Sequence, residues 1–104
     1  MKLIYERIED AFHTLFAGEG ISRDDYRIFV NPSASGLPGR YYVQVVWDGF
    51  DSMGDTERQI WVWDRLKKVL SLELRDNLSK VLPRSSREFI APDELAAREH
   101  FMHI

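Results

Sequence analysis

Arg58, Trp61, Arg65 and Lys68 stand three, four and three residues apart in the stretch "DTERQIWVWDRLKK". At helical spacing they form one line, an indole bracketed by three cations. Such a line suits two kinds of binding. The cations can contact phosphates while the indole stacks on a base. Alternatively, the indole anchors in a protein partner whose acids meet the cations. A structural role competes with both: Trp61 packs against the first helix or under a C-terminal helix. The arginines then stack on the indole and pair with Glu57 and Asp64.

Other residues with chemical potential are weaker. His100 and His103, one helical turn apart, could share a metal, but no third ligand accompanies them. His13 stands alone on the first helix, and no pattern gives it a nucleophile or a base. Asp48, Asp51 and Asp55 in "DGFDSMGD" lack calcium-loop spacing, so capping and turn formation explain them. "GLPG" (36–39) has neither a P-loop lysine nor dinucleotide spacing. It also joins two strands, whereas the nucleic-acid clamp of KH-like domains joins helices and carries basic residues. With no cysteine, the chain offers neither disulfide nor thiolate ligand. Neither catalysis, a cofactor nor a metal site is expected.

These residues must be positioned by a chain of 104 residues, which fits one domain. With 44% hydrophobic and 30% charged residues, the composition is that of a folded globular chain. A net charge of −3 argues against a protein that coats nucleic acid through overall basicity. The longest apolar run is too short to span a bilayer, and acids within the first ten residues are unlike a signal peptide. A cytoplasmic location is the default expectation.

Leu3, Ile4, Ile8, Ala11, Phe12, Leu15 and Phe16 recur at helical steps, predicting a helix over about 2–17 that Gly18 and Gly20 end. "YRIFV" (26–30) and "YYVQVVW" (41–47) read as strands, with the Pro- and Gly-rich loop 31–39 between them. In the second strand, Tyr41, Val43, Val45 and Trp47 share one face and Tyr42, Gln44 and Val46 the other. Asp55 or Thr56 is a candidate cap for a second helix running to about 71. At about 100° per residue, Gln59, Val62, Trp63, Leu66 and Leu70 make its core stripe. "LSKVL" (78–82) reads as a third strand that Pro83 and the two serines after it stop, and 91–101 as a terminal helix. The expected fold is α+β, in the order α-β-β-α-β-α, with helices packed on a three-stranded sheet.

At "GFDSMGDTERQIWVWDRL" the chain resembles the BolA family, whose central pattern is a Phe, a glycine-containing loop, Arg-His-Arg-Leu-Val-Tyr and a later Leu. Phe50 matches the Phe, Arg58 the first Arg, Val62 the Val and Leu66 the Leu, with Trp63 in place of the Tyr. "YERIEDAF" looks like the family's first helix, "YYVQVVW" like its central strand and "NLSKVLPRSSREF" like its third strand and ending. The resemblance spans residues 3–89 and implies a compact KH-like fold, with 90–104 as a helical extension. It also implies an interaction or regulatory module, with a monothiol glutaredoxin as a possible partner and transcriptional, nucleic-acid-binding activity as the alternative. The departures concern metal. Gln59 and Asn77 stand where the family's histidines would be, and the loop 31–39 has no cysteine or histidine. An iron–sulfur cluster prefers thiolate or imidazole, so this chain is not expected to ligate one.

Overall fold

The computed structural model describes residues 2–33 and 39–89. Helix α1 (Ile4–Gly18) presents Ile8, Ala11, Phe12, Leu15 and Phe16 to the interior. It ends in a Schellman motif: the Ile21 amide donates to the Phe16 carbonyl and the Gly20 amide to Ala17. Gly20 has φ +73°, a conformation that costs a side-chain-bearing residue free energy. Strand β1 (Tyr26–Pro32) follows a 3-10 turn at Arg23–Asp25, and β2 (Tyr41–Trp47) spans the residues its alternation predicts. A second 3-10 turn (Asp48–Ser52) leads into helix α2 (Asp55–Val69). A short helix α3 (Leu72–Arg75), strand β3 (Leu78–Arg84) and a last 3-10 turn (Ser86–Glu88) complete the order.

The sheet is mixed, with β2 in the centre. β1 pairs antiparallel with β2, from Tyr26 opposite Trp47 to Pro32 opposite Tyr41. β3 runs parallel to β2, with an irregularity between Tyr41 and Tyr42. Val43 and Val45 join the apolar residues of α1 and α2 in one core, on the β2 face that alternation assigns to them. Tyr42, Gln44 and Val46, on the opposite face, are buried as well. The fold class is therefore α+β, with three α-helices and a three-stranded mixed sheet among the described residues.

The structure differs from the sequence expectation at four places. β3 ends at the serines, as expected, but not at Pro83: it continues through the proline to Arg84, because β3 is an edge strand and can accommodate a residue without an N–H. Gly54, rather than Asp55 or Thr56, occupies the N-cap of α2 and makes no side-chain bond; Asp55 and Glu57 instead place negative charge in the first turn. α2 ends at Val69, and the turn after it re-forms as α3 with Ser71 as its cap. Finally, the core face of α2 is rotated from the expected arc: its fully buried positions are Arg58, Val62 and Leu66. Gln59 and Trp63 lie half-buried on one flank of that face, and Trp61 and Arg65 on the other. The expected helix 91–101, with His100 and His103, lies outside the described residues.

Candidate functional site

The expected contact line on α2 divides into two parts. Arg58 leaves it entirely, with a side chain only 7% exposed. Its Nε donates to the Met53 carbonyl at 2.9 Å and its NH1 to Glu88 Oε1 at 2.7 Å, with Pro83 O a further 3.4 Å acceptor. Glu88 also accepts from the Ser85 amide at 2.8 Å. The Arg58 guanidinium and that amide pull the Glu88 carboxyl down from 4.5 to about 2. Two further contacts, Ser86 N to Asp48 at 2.8 Å and Arg87 to Asp51 at 2.8 Å, fasten the same turn to the β2–α2 connection. The Ser86 amide holds the Asp48 carboxyl below its ordinary range. Arg58 is therefore a structural cation, and Asp48 and Asp51 take part in the same fastening.

Trp61 belongs to an aromatic cluster. Its ring lies 5.9 Å from Phe16, 5.0 Å from Trp47 and 5.6 Å from Phe50, edge to face with the last. The packing of Trp61 against the first helix, one of the expected alternatives, is what the structure has. Gly49 is part of the reason: a Cβ there would fall 2.2 Å from the Trp47 ring, so only glycine leaves room for that indole. Arg65 covers the Trp61 ring, its guanidinium 4.2 Å from the centroid. It is held there by Glu19 at 2.7 Å and by the Trp61 carbonyl at 3.0 Å. Lys68 is exposed and makes no hydrogen bond or ion pair among the described residues. Leu15, Glu19, Arg65 and Lys68 line a groove of about 140 Å³ between α1 and α2.

Elsewhere on α2, Ile60 is 56% exposed. It escaped the sequence analysis because a single apolar residue on a polar arc carries no periodic signal. Trp61, Arg65 and Lys68 thus bring part of an indole and two cations to one side of α2, while Ile60 stands on the solvent-facing side of the same helix.

Gln59, on the flank of α2 opposite Trp61, and Asn77, just before β3, are the two positions at which the resemblance implies a replaced histidine. Gln59 Nε2 donates to the Val81 carbonyl at 2.9 Å, and its Oε1 accepts from Trp63 Nε1 at 3.1 Å. Asn77 Nδ2 donates to the Gly39 carbonyl at 2.8 Å. Both amides work as hydrogen-bonding braces, and an amide at either place is a poor match for a cluster that binds through thiolate or imidazole. The donor set at these positions does not fit an iron–sulfur centre. Among the described residues, no three His, Asp or Glu side chains converge as metal ligands.

His13 is not alone. Its Nδ1 lies 2.7 Å from the Tyr26 hydroxyl, and its Nε2 is 2.9 Å from Arg23 NH2 and 3.3 Å from Glu9 Oε1. The Glu9–His13 spacing of one helical turn was a sequence signal for part of this group; Arg23 and Tyr26 reach it only through the tertiary fold.

No family model matches this chain, and neither does any curated protein or solved structure in the comparisons made. Among the described residues, no helix is long and apolar enough to cross a membrane.

Proposed function

We propose that this chain is a non-catalytic, BolA-like interaction module that binds a protein partner through α2 and contributes no iron–sulfur ligands. The observation that carries the proposal is Ile60, 56% exposed on the helix that also carries Trp61, Arg65 and Lys68. An exposed aliphatic side chain suits an anchor contact, and the indole on the adjoining face of the helix is already held in place by Arg65, so little of its side-chain entropy remains to be lost. Lys68 supplies a cation for an acidic partner surface. By resemblance, a monothiol glutaredoxin is the partner class. The element order and the mixed sheet are compatible with a BolA-like assignment, and the structural use of Gln59 and Asn77 supports binding without cluster transfer.

The test is calorimetric titration of a purified monothiol glutaredoxin, without iron or sulfide, against wild type and Ile60→Glu/Lys68→Glu. Both substituted positions are exposed, so the fold should survive, as circular dichroism would verify. Wild type should bind, and the variant should bind at least about tenfold more weakly. Equal affinities would remove the face from consideration, and no binding by wild type would remove the partner class. An oligonucleotide that bound with a steep salt dependence would favour the nucleic-acid reading instead.

A further inference from the structure

The contacts of His13 contain a conflict on one atom. A guanidinium can only donate, so Arg23 at 2.9 Å requires a lone pair on Nε2. The single ring proton of neutral His13 then sits on Nδ1 and donates to the Tyr26 oxygen at 2.7 Å. Glu9 Oε1, 3.3 Å from the same Nε2, can only accept. Arg23 and Glu9 therefore demand opposite states of one nitrogen. The neutral ring satisfies Arg23, and the protonated ring satisfies Glu9 and repels Arg23.

We infer that His13 is a proton-operated clasp on the connection from α1 to β1. Neutral His13 holds Arg23 and, with it, the 3-10 turn of that connection. On taking a proton from solvent at Nε2, the ring exchanges Arg23 for Glu9 and the turn is released. The Nδ1–H bond to Tyr26 persists in both states and acts as the pivot. Burial raises the Tyr26 phenol above its ordinary range, against the opposing charge and hydrogen bond of Arg23, so the Tyr26 oxygen carries its proton.

The ionisable groups around the ring are few. Glu9 faces it from α1, Arg23 from the 3-10 turn and Tyr26 from β1. Asp10, one residue from Glu9, is hydrogen-bonded to Lys2. Asp24 and Asp25 adjoin Arg23 but make no hydrogen bond to the ring, and Arg65 of α2 is committed to Glu19. The connection is tied by Glu19 to Arg65 and by Arg23 to His13, with Arg23 also acting on the Tyr26 hydroxyl; of these, the Arg23–His13 contact is the one that needs a lone pair on the ring. Tyr26 also stacks on Phe16 with centroids 4.2 Å apart, and Phe16 touches Trp61. The clasp therefore adjoins the α2 face through one aromatic contact, although the inference does not depend on what that face binds.

Long-range ¹H–¹⁵N spectra of the uniformly labelled protein read the ring directly. At high pH they should show His13 protonated on Nδ1. As pH falls and Nε2 gains its proton, the Asp25 amide, which donates to the Ser22 carbonyl within the turn, should lose protection. After correction for intrinsic exchange rates, the loss should be roughly fivefold, the factor for one hydrogen bond of about 1 kcal/mol. Val45 in the central strand should not change. Glu9→Gln should move the transition to lower pH, because it removes the group that favours the charged ring. Arg23→Gln should move it to higher pH and abolish the change at Asp25. A neutral ring protonated on Nε2, shifts of the same sign in the two variants, or Asp25 protection indifferent to the charge on His13 would each overturn the clasp.

Discussion

Arg58 and Arg65 lie two turns apart on α2, and each is hydrogen-bonded to a glutamate at 2.7 Å. By chemistry and distance the two pairs are equivalent, but their surroundings differ. The Arg58 side chain is 7% exposed and also serves backbone carbonyls at Met53 and Pro83. The Arg65 side chain is 32% exposed and lies on the Trp61 ring. Arg58 thus ties the turn after β3 to the start of α2, a junction between segments thirty residues apart. Arg65 covers an indole and partly neutralises Glu19 at the end of α1. How far water is excluded, more than which charges meet, separates a structural pair from one that can be rearranged on binding.

The most direct way to break this comparison is to truncate each arginine. Arg58→Ala should cost about 3 kcal/mol in urea unfolding, because buried carbonyls lose their donor and Glu88 its main partner. Arg65→Ala should cost about 1 kcal/mol or less, as an exposed pair and one cation–π contact allow. Equal losses would mean that burial does not separate the two.

The flank opposite Trp61 sharpens the same point with uncharged groups. Gln59→Leu removes both the donor to Val81 O and the acceptor for Trp63 Nε1. It should cost roughly 1–2 kcal/mol, since these groups are half-buried and water can replace only part of what they lose. Trp63→Phe gives up one of the two bonds and should cost less. If the two variants were equally stable, Gln59 would be holding the indole and not the strand.

Much of the fold was legible because it is written in local periodicity. β2 shows its alternation without interruption, and α1 its apolar stripe with glycines to close it. Pro83 was misread because edge and central strands are distinguished by the neighbours a strand has, which local sequence does not record. The α2 face was misjudged for a related reason. A helical projection treats arginine as polar, but Arg58 is drawn inward by carbonyls and by Glu88, which lies thirty residues away. Its long stem also lets the guanidinium reach them from the edge of an apolar face. Of the candidate site, Trp61, Arg65 and Lys68 were found from spacing, whereas Ile60 needed the exposed surface. The His13 group was half-visible at Glu9, and its other half depends on how β1 lies against α1.

The smallest effect concerns the charge on Glu88. Its carboxyl is held at about 2 in the fold, against an ordinary 4.5, so folding favours the ionised form. Its contribution is complete above about 4.5, where both folded and unfolded chains are ionised, and is lost as pH falls toward 2 and the folded carboxyl takes up its proton. Glu88→Gln keeps an oxygen acceptor for Arg58 and the Ser85 amide but removes the charge. The difference in unfolding free energy between wild type and Glu88→Gln should therefore be constant from neutral pH to about 4.5, then shrink steadily toward 2. The difference stays modest because the Glu88 side chain is 36% exposed and solvent screens its charge, even though the cation it meets is buried. Parallel pH profiles for the two proteins would show that the oxygen acceptor, and not the carboxylate charge, holds the turn after β3 to α2. Arg58 would then differ from Arg65 in hydrogen bonding alone.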